Sequence, residues 1–238
     1  ASHLDEYAVF TRLGDGQLGG KARGLAFIDS VINRYKISGK WEGVNVSIPR
    51  TVVLTTDIFD EFMEENDLYE FALSDISDQK VLDGFIHTRT PSRMKSHISE
   101  IVDFFKSPMA IRSSSLLEDS HYQPFAGVYS TYMIPNNHPD RNVRIQQMEQ
   151  AIKSVYASVF FNESKAYIEA TSNVIDEEKM AVVVQEMSGR SYGNMFYPTI
   201  SGVARSVNFY PIEPEKYEDG VANIAFGLGK TIVDGGIS

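Results

Sequence analysis

The sequence predicts an α+β protein with mixed or antiparallel sheets and flanking helices, organised in two or more subdomains. Helix and strand patterns alternate through about residue 105, and short β-rich runs dominate after residue 180. This order lacks the regular strand–helix repeat of a doubly wound parallel sheet. A length of 238 residues allows one large domain or two small ones. We place a boundary between an N-terminal α/β subdomain, residues 1–107, and a second subdomain, residues 108–238.

The first subdomain is expected to combine helices with one β-rich segment. Residues 20–33 and 92–105 carry apolar side chains at helical spacing, and Thr56 can cap a helix between them. Residues 45–54 are rich in β-branched side chains and predict a strand. Residues 73–90 are polar and are expected to be irregular.

The second subdomain is expected to be mainly β-structure with helices at 144–161 and 164–172. Its predicted strands span residues 109–111, 128–134, 180–187, 194–200, 203–209 and 221–226. Ser201 and Gly202 are predicted to form the turn between two of these strands.

The amino-acid composition indicates which kinds of binding partner and which cellular compartment suit this protein. Apolar residues make up 42% and charged residues 23%, as in soluble globular proteins. A net charge of -10 argues against nucleic-acid and membrane-surface binding, which need basic surface. No apolar run approaches the roughly 18 residues of a membrane span. The chain has no cysteine, which excludes disulfides and thiolate chemistry and favours a reducing, cytoplasmic location.

Gly19, Gly20 and Lys21 stand at the start of the first predicted helix. Glycines let the backbone approach a ligand, and a helix N-terminus favours an anion, to which Lys21 adds a point charge. The spacing does not fit a Walker A loop. The alternative is a tight turn with a solvated lysine.

The segment 110–131 places Arg112 at the end of a short apolar strand, before three serines and a loop that closes on Gly127. A guanidinium offers a fixed fork of donors, and serine hydroxyls and glycine backbone add further donors, as a phosphate chain requires. The alternative is an ion pair of Arg112 with Glu118 or Asp119 that organises the loop. We favour that salt bridge for the acidic pair over a magnesium site.

Gln185 and Met187 stand at the end of the apolar strand 180–187. A strand edge with free backbone groups beside a thioether suits an adenine ring. The alternative is a core strand that runs out to solvent. The five histidines show no metal-ligand or nucleophile–base spacing, so we assign no metal ligand.

Together these segments resemble the N-terminal nucleotide-binding domain of the phosphoenolpyruvate synthase and pyruvate phosphate dikinase family. The matching blocks resemble GGK-x-x-x-L, P-x-G-F-x-x-T, VRSSA-x-x-ED…FAG-x-x-x-T, VVVQ-x-M and GLGE-x-V-x-G, and they lie at residues 18–25, 48–56, 110–131, 182–187 and 227–235. The resemblance covers nearly the whole chain. It implies an ATP-grasp-like fold that binds ATP or AMP with Mg²⁺.

The resemblance also implies residue roles. Lys21 and Arg112 would hold the ATP phosphates and serve as the catalytic cations, and Ser114, Gly127 and Thr131 would line the phosphate pocket. Gln185 and Met187 would flank the adenine, and Lys230 would also contact the nucleotide.

In this family ATP phosphorylates a histidine on a separate domain, and a third domain then makes phosphoenolpyruvate. The phosphohistidine and pyruvate-binding domains, and the magnesium ligands, are expected downstream in a longer chain. The isolated segment is expected to be inactive, and a homodimer is left open.

One departure from the family pattern supports an alternative function. Lys230 stands where the family usually carries Glu, so a cation replaces a carboxylate near the metal and phosphates. A nucleotide-binding regulatory module without catalysis is therefore the second hypothesis. A related dikinase with a different acceptor is a variant of the first.

Overall fold

The computed structural model describes residues 4–5, 7–115, 129–170 and 179–229. The chain forms two compact units, Ala1–Met187 (unit 1) and Ser188–Ser238 (unit 2). Among the described residues, no helix is both long and apolar enough to cross a lipid bilayer.

Unit 1 is built on one five-stranded sheet with the order β1-β2-β5-β3-β4. The strands are β1 (Phe10–Leu13), β2 (Thr51–Leu54), β3 (Met109–Ser115), β4 (Thr131–Ile134) and β5 (Met180–Glu186). β1 and β2 are parallel, whereas the other neighbours are antiparallel. The predicted α+β class with a mixed sheet is therefore confirmed.

Helices cover both faces of this sheet. The described helices are α1 (Gly19–Arg34), α2 (Thr56–Glu65), α3 (Leu68–Leu73), α4 (Asp78–His87), α5 (Ser92–Phe104), α6 (Arg141–Ser158) and α7 (Asn162–Ala170). The main core lies on the face opposite α1, where Val52 and Ile111 of the sheet join apolar residues of α2–α7. A smaller cluster packs Ala22 of α1 against Val53, Ala181 and Val183.

Aromatic rings dominate the main core. Phe59 and Phe62 of α2 contact Tyr156 of α6, with ring centroids 5.0 and 5.5 Å apart. Phe85 of α4 contacts Phe62 and Phe160 at 5.8 and 5.7 Å. Burial of each such side chain contributes about 1.5–3 kcal/mol, so these rings contribute substantially to the stability of unit 1.

The expectation of irregular structure at residues 73–90 was wrong, because this segment contains α4. The segment is polar in sequence because most of α4 faces solvent. Only two apolar residues of this helix, Val81 and Phe85, are fully buried, and they stand at i and i+4 spacing. Packing against the aromatic core outweighs the weak local pattern.

Unit 2 contains two antiparallel ribbons, β6 (Arg190–Tyr192) with β7 (Met195–Tyr197), and β8 (Ile200–Arg205) with β9 (Val221–Phe226). The predicted turn at Ser201 and Gly202 was wrong, because both residues lie inside β8. A Cβ at Gly202 would lie 2.5 Å from the Asn223 carbonyl oxygen, so glycine here permits a close strand approach rather than a turn.

The two units meet in sequence at residue 187, whereas the boundary predicted from the sequence lies after residue 107. That predicted boundary lies inside unit 1, where β2 pairs with β5. The reason is long-range strand pairing, since Thr51 lies opposite Gln185, 134 residues away in sequence.

Candidate functional site

The sheet face beneath α1 collects three of the predicted site residues. Arg112 of β3 lies opposite Val183 of β5 and opposite Thr131 of β4. Cross-strand partners point to the same face of a sheet, and Val183 packs beneath Ala22 of α1. Gln185, two residues beyond Val183 in β5, shares that face because strand side chains alternate. Antiparallel pairing thus brings together residues that are distant in sequence.

Arg112 is in contact with Gln185. The guanidinium Nη1 donates to Gln185 Oε1 at 3.4 Å, and Gln185 Nε2 donates to Thr51 Oγ1 at 3.3 Å. Arg112 is half-buried, whereas Thr51 and Gln185 are buried. Arg112 is the fourth of the seven residues of β3, so the prediction that it ends the strand was wrong, because pairing with β5 continues through the three serines. Its planar guanidinium carries five N–H donors, which suits an anion with several oxygens.

Lys21 reaches the residue next to Arg112. The Lys21 ammonium donates to Ser113 Oγ at 3.3 Å, which brings a second cationic side chain, from a distant segment, to the strand that carries Arg112. The N-terminal end of α1, where Lys21 lies, adds the positive end of the helix dipole. The arrangement favours a multiply charged anion.

Ser114 fastens α1 to β3. Its hydroxyl accepts a hydrogen bond from the Ala22 N–H at 3.1 Å and donates to the Leu18 carbonyl at 2.9 Å. These two backbone groups form the i, i−4 pair that would close the first turn of α1, so the serine is inserted into that turn. In the structure, the Ser114 hydroxyl therefore positions the turn that contains Gly19, Gly20 and Lys21.

Gly19 allows this close approach. Its φ is +69°, in the left-handed region, and a Cβ built on it would lie 1.9 Å from the Ser114 carbonyl oxygen. Only a residue without a side chain fits both the conformation and the contact. Gly19, which was predicted to let the backbone approach a ligand, is therefore required for the close approach of α1 to β3.

Asp57 holds the loop that precedes α1. Its carboxylate accepts hydrogen bonds from the Asp15 and Gly16 N–H groups at 3.2 and 2.9 Å, from Arg93 at 2.6 Å, and from the Thr55 hydroxyl. Partial burial alone would raise the pKa of Asp57, but these donors outweigh it and hold the pKa below its ordinary value of 3.8. Asp57 is not among the residues predicted from the sequence, although an acidic residue in the first turn of a helix is a recognisable signal.

Asp57→Asn is expected to destabilise the protein by about 1.5–3 kcal/mol at pH 7, since it weakens several hydrogen bonds to a charged group. Because the folded-state pKa is depressed, the stabilisation by Asp57 is present above its ordinary value of 3.8 and is lost as pH falls through the folded pKa. Urea unfolding at several pH values should show the difference between the two proteins shrink below about pH 4. Asp75→Asn, at an exposed carboxylate, is the control. A pH-independent difference would contradict this account.

The end of β5 differs from the expected strand edge. β5 is the central strand, and the Glu186 and Met187 N–H groups donate to the carbonyls of Arg50 and Pro108, both at 2.9 Å. Hydrogen bonds from Arg50, at 2.7 and 3.0 Å, and from Ser107 hold the pKa of Glu186 below its usual value. The prediction of free backbone groups was wrong for these two donors, because neighbouring segments already use them. Gln185 and Met187 as the adenine-flanking side chains stay a prediction.

Several predicted residues lie outside the described part of the chain. They are Gly127 and Lys230 among the site residues, and Glu118 and Asp119 as the alternative partners of Arg112. Within the described ranges, no group of three or more His, Cys, Asp or Glu residues is arranged to hold a metal ion.

Comparison with known proteins gives one family and two relatives. Residues 15–238 match the family described as pyruvate phosphate dikinase, AMP/ATP-binding domain. The uncharacterized phosphotransferase YvkC of Bacillus subtilis is 27% identical over 192 residues, which are 80% of this chain and 20% of that protein. The phosphoenolpyruvate synthase of Aeropyrum pernix is 24% identical over 245 residues, which are 93% of this chain and 26% of that protein. The chain thus spans about a fifth to a quarter of the length of these relatives.

Proposed function

Since the chain belongs to the family of the pyruvate phosphate dikinase AMP/ATP-binding domain, we propose that unit 1 binds an adenine nucleotide on the sheet face beneath α1. The observation that carries this proposal is that the N-terminal end of α1, with Lys21, lies against β3, the strand that carries Arg112. Lys21 reaches Ser113, and Arg112 precedes it in the strand. Two cations beside a helix N-terminus complement a polyphosphate.

In this proposal Lys21 and Arg112 bind the phosphates, and Thr131 lines the same pocket through its position opposite Arg112. Met187 packs on the adenine, with Gln185 nearby. Gly127 and Lys230 contact the nucleotide, as the family resemblance implies.

We further propose that the longer protein is a phosphotransferase resembling phosphoenolpyruvate synthase. ATP would phosphorylate a histidine on a second domain, and a pyruvate-binding domain would receive the group. Phosphoryl transfer depends mainly on positioning and charge neutralisation, which Lys21 and Arg112 can supply. Mg²⁺ would add charge neutralisation. The described residues include no group of three or more His, Cys, Asp or Glu arranged for a metal ion, and we propose that its ligands lie downstream. We place the protein in the cytoplasm.

A second candidate function, a nucleotide-binding regulatory module without catalysis, is favoured by Lys230. The family usually has Glu at this position, and a cation there can hold a phosphate but cannot bind a metal ion as a carboxylate does. A dikinase with another phosphoryl acceptor is a variant of the first proposal, because the acceptor depends on other domains.

Thermal unfolding of the chain with ATP, ADP, AMP and GTP tests the binding proposal. We expect stabilisation by adenine nucleotides, by about 2.7 kcal/mol at a concentration one hundred times Kd, because the ligand binds only the folded state. GTP serves as the control for the base. Absence of stabilisation by all three adenine nucleotides would exclude the proposed site.

The two candidate functions are separated in the full-length protein. We expect radiolabelled ATP to leave an acid-labile, alkali-stable phosphate on the chain if a histidine is the acceptor. Nucleotide binding without labelling would favour the regulatory module. Replacing the downstream histidine with Ala is the control, and it should abolish labelling without changing nucleotide affinity.

A further inference from the structure

We propose that Thr51 and Gln185 are positioning residues that orient Arg112 toward the nucleotide phosphates. This inference rests on the proposed function of the same site. Three neighbouring strands carry it, with Thr51 on β2, Gln185 on β5 and Arg112 on β3. We call the chain of contacts through these three side chains the polar relay.

The polar relay has a fixed direction. The Thr51 hydroxyl donates to the Pro49 carbonyl at 2.8 Å, and a carbonyl can only accept. Because its single proton is used there, the Thr51 oxygen must accept when it contacts Gln185. Gln185 therefore presents its Nε2 donor group to Thr51, at 3.3 Å, and its Oε1 acceptor to Arg112, at 3.4 Å.

This direction matters because the Gln185 amide can rotate to exchange its oxygen and nitrogen. The reversed amide would place N–H donors against the guanidinium, which has donors only. Arg112 would then lose the Gln185 oxygen as an acceptor. The hydroxyl of Thr51 thus selects the amide orientation that holds the guanidinium.

Burial makes the selection strict. Thr51 is 2% exposed and Gln185 is 9% exposed, so solvent is a poor substitute for a lost partner. The Gln185 oxygen is already bonded to Arg112. Gln185 therefore contributes to nucleotide binding by holding Arg112 and not by recognising the adenine edge directly.

A matched pair of variants at Thr51 tests the relay. Thr51→Val keeps the shape and the β-branched preference for a strand but removes the hydroxyl, whereas Thr51→Ser keeps the hydroxyl. We expect Thr51→Val to weaken binding of the non-hydrolysable analogue AMPPNP about tenfold, and Thr51→Ser to change it less than about twofold. Isothermal titration calorimetry measures both. Gln185→Met removes both amide groups and should weaken AMPPNP binding as much as Thr51→Val does. If Thr51→Val does not fold, Gln185→Met is measured in its place.

A double-mutant cycle with Arg112→Met separates positioning from general damage. If Thr51 acts through Arg112, adding Thr51→Val to Arg112→Met causes no further loss of AMPPNP affinity. An equal loss in both backgrounds, or equal affinities of Thr51→Val and Thr51→Ser, would overturn the inference.

A ligand-free measurement distinguishes failure of the relay from failure of the proposed function. In NMR spectra without nucleotide, the Gln185 side-chain amide protons should be protected from solvent exchange in the wild type and in Thr51→Ser, but not in Thr51→Val. Wild-type protein that binds no adenine nucleotide would refute the proposed function, while unprotected Gln185 amide protons would refute the relay by themselves.

Discussion

Gly19→Ala is expected to lose adenine-nucleotide stabilisation and to unfold at a much lower urea concentration than the wild type. The new Cβ would lie 1.9 Å from the Ser114 carbonyl oxygen and 2.4 Å from its carbonyl carbon. Both atoms belong to the backbone of β3 and cannot rotate away. Strain at a positive φ and overpacking each cost about 1–3 kcal/mol, so we expect a total of about 2–6 kcal/mol.

Gly24→Ala is the matched control on the same helix. Apart from Gly24 itself, its chain neighbours and the surrounding helix backbone, no atom lies within 4 Å of a Cβ built at Gly24, and alanine is a better helix former. This variant should be more stable than the wild type by about 0.5–1 kcal/mol and should bind nucleotide equally well. Similar behaviour of the two variants would show that Gly19 does not hold the Gly-Gly-Lys turn against β3.

Arg112→Met is expected to weaken ATP binding by one to two orders of magnitude while the protein stays folded. Hydrogen bonds to charged groups contribute about 1.5–3 kcal/mol, and methionine keeps much of the apolar length of the side chain. The loss of affinity should be largest for ATP and smallest for adenosine, because the phosphates are the only part of the ligand that the Arg112 guanidinium is proposed to contact. Calorimetric titrations with ATP, ADP, AMP and adenosine measure this gradient.

Arg34→Met provides the control for the lost charge. Arg34 is exposed in the last turn of α1, at the opposite end of the helix from Lys21, and its guanidinium lies over the Tyr35 ring. Its removal should leave all four affinities unchanged at moderate ionic strength, since exposed charges beyond a Debye length of about 10 Å are screened. A uniform loss across ATP and adenosine in Arg112→Met would contradict a phosphate-binding role.

Much of the fold class could be predicted from the sequence, because its signals are local. Apolar spacing marks α1 and α5, and an unbroken apolar run marks β5. By contrast, α4 has only two fully buried apolar positions, Val81 and Phe85, and its identity as a helix depends on the aromatic core. Local patterns fail where long-range packing supplies most of the stabilisation.

The site shows the same division. Lys21 and Arg112 can be proposed as phosphate-binding residues from the sequence, because a lysine after two glycines and an arginine followed by serines are chemically suited to phosphate. The role of Ser114 was not recognisable, since its hydroxyl bonds backbone groups that are 92 and 96 residues away in sequence. The same holds for Thr51, whose partner Gln185 is reached only through the pairing of β2 with β5.

The sequence by itself determined the chemistry that the chain can offer, namely cations, hydroxyls and glycines in segments that resemble an ATP-binding family. Only the tertiary structure decided how each group is used. In the folded chain β5 is the central strand, and the Glu186 and Met187 N–H groups are hydrogen-bonded to neighbouring segments. Gly19 and Ser114 form the close contact between α1 and β3. The physical reason is that a hydrogen-bonding group has few partners, and folding assigns those partners by strand register and helix docking, which no local segment encodes.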